Sequence, residues 1–73
     1  MKRKMYFTVL IEKDEDGMLI ASVPALRGCH TQAKTYEELI PRITEAIQLC
    51  LEVEHGKLVQ NEFVGVQQLQ ITL

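Results

Sequence analysis

Only one stretch of this chain, from Thr35 to Leu51, carries helical periodicity, and segments that alternate like β-strands stand on both sides of it. Its apolar residues recur at Tyr36, Leu39, Ile40, Ile43, Ala46, Ile47, Cys50 and Leu51, one stripe with Glu37, Arg42, Glu45, Gln48 and Glu52 mostly outside. A single helix must therefore cover whatever sheet the rest of the chain builds. With 73 residues there is room for one domain, spanning 1–73, and one core. A domain near this size removes only about 60% of its unfolded surface from water, so a partner subunit is the expected source of added stability.

The helix start is marked by a capping box, in which the Thr35 hydroxyl accepts from an amide three residues on and Glu38 reaches back. Pro41 lies inside the helical pattern and removes the donor for the Glu37 carbonyl, which predicts a bend or a wide first turn. Gly56 after His55 is placed like a helix stop.

Three strands are expected before the helix. Met5 to Glu12 puts Met5, Phe7, Val9 and Ile11 on one face and Tyr6, Thr8, Leu10 and Glu12 on the other. Lys13 to Gly17 is a charged hairpin connection, and Met18 to Val23 is the second strand. Pro24 to Gly28 forms a turn or bulged corner before a third strand, Cys29 to Ala33. After the helix, Leu69, Ile71 and Leu73 alternate with Gln68, Gln70 and Thr72 as a last strand. The expected fold class is α+β, in two layers, with the order β-β-β-α-β: an antiparallel three-stranded meander plus a final strand beside the first, and one helix packed on one face. One helix cannot cover four strands. Tyr6 and Leu10 opposite Phe7 and Val9 therefore predict a homo-oligomer, a dimer or tetramer.

Composition narrows the function. A net charge of −2 argues against a nucleic-acid coat, so direct DNA binding is not expected. No apolar run approaches the roughly 20 residues of a membrane span, and the basic start is not followed by a signal-peptide core, which predicts a cytoplasmic protein. Two cysteines, Cys29 and Cys50, are too few for a disulfide framework and read as buried thiols.

The segment from Tyr6 to Leu51 resembles the HicB-like antitoxin domain. The likeness rests on the hairpin Glu12 to Gly17, the run Val23, Pro24, Leu26, Gly28 and Cys29, then Thr31 and Gln32, Thr35 to Glu38, and Glu45 to Ile47. The resemblance implies a partial RNase H-like arrangement and a cytosolic prokaryotic protein that occludes a small, basic, RNA-cleaving toxin of the HicA type. Val23, Pro24, Leu26, Gly28, Cys29, Thr35 and Glu38 would be the structural motif. Many members also carry a C-terminal DNA-binding region, and the chain is expected to lack one.

No chemistry of its own emerges. A two-metal nuclease needs converging carboxylates, and the last strand has none between Phe63 and Leu73. Asp14 to Gly17 lacks the later glutamate of a calcium loop, since Ala25 stands at its twelfth position, and reads as a solvated turn. Cys29, His30, Cys50 and His55 have no zinc-ligand spacing, and neighbouring Cys29 and His30 point to opposite strand faces, so no activated nucleophile is expected. His30 reads as an exposed strand residue. No enzyme activity, cofactor or metal is expected. The remaining feature is acidity, with Glu37, Glu38 and Glu45 as candidates to face a basic partner and an ordinary solvated helix face as the alternative. The expected function is non-enzymatic toxin neutralisation. A stand-alone oligomerising binding module without a toxin is the alternative.

Overall fold

The computed structural model describes residues 4–54 and 61–73. The helix stop expected at His55 and Gly56 lies outside the described residues.

Three short strands form one antiparallel sheet in the order β1-β2-β3: β1 Leu10–Lys13, β2 Leu19–Ser22 and β3 His30–Ala33. The register aligns Ile11 with Ala21 and Ala21 with Thr31, so these three share the face beneath the helix. The opposite face carries Leu10, Ser22 and His30 in one row and Glu12, Ile20 and Gln32 in the next. That open face is mostly polar. The apolar surplus that predicted self-association lies elsewhere, as described below.

The hairpin between β1 and β2 is held by Asp14. Its carboxylate accepts from the amides of Asp16 and Met18, both at 2.9 Å, while the Gly17 amide donates to the Asp14 carbonyl at 3.1 Å. Gly17 takes φ of 85°, which an L side chain resists, so the turn needs glycine there. Asp14 is thus committed to the turn.

Helix α1, Tyr36–Glu54, follows β3 directly. The Thr35 hydroxyl accepts from the Glu38 amide at 3.2 Å, the cap expected from the sequence. The reciprocal half of the capping box is absent: the Glu38 carboxylate turns along the helix to Arg42, 3.8 Å away. A full positive charge one turn on attracts it more than a neutral amide does. Arg42 in turn donates to the Gln32 carbonyl at 2.9 Å and fastens the helix to β3. The helix runs unbroken through Pro41, which is exposed, so solvent reaches the Glu37 carbonyl that proline leaves without an intrahelical donor.

The core is Ala21, Val23, Leu26, Cys29, Ala33, Leu39 and Ile43, with Phe7, Val9 and Ile47 among the partly buried residues packed on it. Ala21 and Ala33 are both fully buried, and their small side chains let α1 approach the sheet closely.

The α+β class and the β-β-β-α order agree with the sequence reading. Two details do not. The first strand begins at Leu10 rather than Met5, because residues 4–9, although alternating, have no ladder partner. The final strand expected beside the first is not formed among the described residues: residues 61–73 belong to no strand, and every one of them is exposed. Alternation supplies a strand-forming sequence, but a strand exists only where a second edge is within reach. The RNase H-like arrangement is therefore not confirmed among the described residues.

Candidate functional site

The family-motif residues fall into two groups at opposite ends of β3. At the first end, Val23 to Cys29 forms a tight corner in which the Val23 amide donates to the Cys29 carbonyl at 3.0 Å. The Leu26 amide donates to Val23 at 3.0 Å and the Cys29 amide to Leu26 at 3.1 Å, so the corner closes on itself. Val23, Leu26 and Cys29 are buried, whereas Pro24 and Gly28 lie in its outer wall. Gly28 has φ of 76° and sits where a left-handed residue must complete the turn. A shallow hollow of about 310 Å³ opens beside the corner, with Arg27, His30 and Asn61 at its rim. The other motif residues, Thr35 and Glu38, cap the helix at the far end of β3.

Cys29 and Cys50 come together inside the domain, and both are free thiols. Burial, followed by the hydrogen bond and charge of the Cys50 thiol, pushes the Cys29 thiol up from 9.0 to about 11. The raised value means that the folded chain holds the neutral thiol more firmly than the unfolded chain does. Its contribution to stability is complete below pH 9 and is lost as pH climbs towards 11. Two pKa units lower the thiolate fraction at pH 8 about a hundredfold, and the greater intrinsic nucleophilicity of the more basic thiolate offsets part of this. Cys29 modification is therefore expected to be about tenfold slower than for an unshifted thiol, even before access is considered. A time course with a chromogenic disulfide reagent, in buffer and in urea, reads this directly: one slow thiol becomes fast only on unfolding.

The three candidate partner-facing glutamates are all exposed but not equivalent. At about 100° per residue, Glu38 and Glu45 lie within about 20° of each other around α1, with Arg42 between them, and Glu37 lies about 80–100° away. Glu38 is partly neutralised by Arg42. Among the described residues no three His, Cys, Asp or Glu side chains gather as metal ligands, and no helix is long and apolar enough to cross a membrane.

A further apolar feature is one the sequence reading passed over. Met5, Phe7 and Val9 form one wall of an open groove of about 420 Å³, and Ile40, Ile47 and Leu51 of α1 form much of the other. The signal was a doubled stripe. In Leu39-Ile40, Ala46-Ile47 and Cys50-Leu51 the first residue of each pair faces the sheet, and the second lies about 80–120° round from Leu39 and lines the groove. Such a wide stripe covers more than three strands need.

The sequence model of the family described as "HicB_like antitoxin of bacterial toxin-antitoxin system" matches residues 7–71. A UPF0150 protein of Archaeoglobus fulgidus is 51% identical over 67 residues, which cover 92% of this chain and 96% of that protein. A UPF0150 protein of Synechocystis is 46% identical over 68 residues, 93% of this chain and 97% of its own length. One from Thermotoga maritima is 30% identical over 66 residues, 89% of this chain and 88% of that protein. The match spans the motif corner, the capped helix and both walls of the groove except Met5, and on that extent the chain belongs to the HicB-like antitoxin family.

Proposed function

We propose that this chain is a non-enzymatic antitoxin that binds a small, basic, RNA-cleaving toxin of the HicA type and silences it by stoichiometric occlusion. The observation that carries the reading is the family match over residues 7–71. The exposed acidic residues of α1 supply a field suited to a toxin's phosphate-binding surface. The protein works in the cytoplasm as a homo-oligomer and acts on the toxin rather than on DNA, in keeping with its net charge of −2.

The test is co-expression with the product of any short basic reading frame beside the gene, followed by RNA cleavage with and without this chain. A complex of fixed stoichiometry that stops cleavage is expected; cleavage undiminished by an excess of the chain would overturn the reading. The groove would then favour a stand-alone oligomerising module.

Steering by charge has its own signature. Glu37→Gln with Glu45→Gln is expected to slow association with the toxin about tenfold at low salt and to flatten its salt dependence. Glu38→Gln alone is expected to change little, because Arg42 already offsets that carboxylate. Stopped-flow association rates across a salt series check both. Equal effects at Glu38 and Glu45 would count against steering from this face.

A further inference from the structure

This chain carries both halves of a strand pairing that it does not itself complete. One half is an edge: β1 pairs with β2 on one side only, and residues 4–9 that lead into it have no ladder partner. Below that edge runs the groove walled by Met5, Phe7 and Val9 and by Ile40, Ile47 and Leu51. The other half is residues 61–73. Their Leu69, Ile71 and Leu73 alternate with Gln68, Gln70 and Thr72, yet Leu69 is 77% and Ile71 72% exposed. Free apolar side chains at a strict period of two are the pattern of a half-buried strand without its sheet.

The shape of the molecule keeps the halves apart. The Asn61 amide donates to the Ala25 carbonyl at 3.1 Å, which fixes the tail's departure at the corner between β2 and β3. A helix of 19 residues is about 28 Å long, whereas the molecule measures 51 Å along its longest axis. Its radius of gyration is 14.3 Å, against about 11 Å for a compact domain of this length. The tail projects from the domain.

We propose that residues 69–73 of one protomer add a fourth strand to the free edge formed by residues 5–11 of a second copy, and that the second copy's tail does the same in return. Leu69, Ile71 and Leu73 enter the groove beneath the other protomer's α1, where Met5, Phe7 and Val9 present the same two-residue spacing. From Phe63 to Leu73 the tail has no charged side chain to discourage such pairing. Reciprocal exchange closes on itself as a two-fold dimer in which the β1 edge of each protomer is paired. The proposal stands apart from toxin binding, since it needs only two copies of this chain.

The experiment uses the full-length protein. Isotope-labelled and unlabelled samples are unfolded together and refolded, and isotope-filtered NMR then records contacts between chains. Contacts from the Ile71 methyl groups of labelled chains to the Phe7 ring of unlabelled chains are expected, with a dimer mass by sedimentation. Contacts confined within one chain would show the tail folding back on its own edge and would overturn the proposal, as would a monomer at micromolar concentration. Ile71→Asp supplies a second reading: the mass should halve while the helical circular dichroism persists. A dimer unaffected by Ile71→Asp, with no filtered contact, would mean association through another face and would equally overturn it.

Discussion

Leu39→Ala is expected to remove most of the stability of this domain. Leu39 is fully buried between α1 and the sheet, and deleting its three outer carbons costs both transfer free energy and a cavity, about 2–5 kcal/mol. A chain of this length has roughly 4–11 kcal/mol in all, and small domains lie toward the lower end. Ala21 and Ala33 hold α1 close to the sheet, so the backbone has little room to collapse into the hole. Urea unfolding followed by far-ultraviolet circular dichroism should show the midpoint falling steeply or the transition vanishing. Leu49→Ala is the control: Leu49 is exposed on the same helix, and its loss should stay within about 0.5 kcal/mol. Both are compared at one protein concentration, because a self-associating chain gains apparent stability with concentration. Similar costs at Leu39 and Leu49 would contradict the packing described above.

Pro41→Ala should move stability the other way. Proline within a helix costs about 3 kcal/mol relative to alanine, through the missing amide donor and the clash with the preceding turn. Proline also restricts the unfolded chain, an advantage of about 0.4–1 kcal/mol that alanine gives up. The net gain is about 2 kcal/mol, or about 10 °C in melting temperature for a domain of this size. Pro41 is exposed, so no core contact offsets the gain. A melting temperature unchanged or lowered by Pro41→Ala would show that the ring contributes contacts of its own.

The features that could be read from sequence are those whose partners lie a few residues away. Thr35 caps the helix because the amide it accepts from is three positions on, and Asp14 closes its turn on Asp16 and Met18. The Val23 to Cys29 corner was equally visible, since proline, glycine and their spacing impose it locally. Glu38 was misassigned because two local partners compete for it, and only side-chain placement shows that Arg42 wins. The groove was hidden for a different reason. Periodicity located the broad stripe from Leu39 to Leu51 but not which flank the sheet would leave bare, since that depends on how many strands lie under the helix. Residues 69–73 mark the same boundary: alternation reveals a strand's faces but says nothing about whose edge it joins. The acidic residues were legible as charges and illegible as a site, because Arg42 came into play only through its bond to Gln32.

The bond from the Asn61 amide to the Ala25 carbonyl is made by main-chain atoms on both sides. It is therefore blind to side-chain identity. Nearly any residue at either position preserves it, and only proline at position 61, which has no amide hydrogen, severs it outright. Drift at these two positions leaves the tail's point of departure in place. A stretch of chain tied down in this way can change its outward character freely while the direction it sets is inherited unchanged.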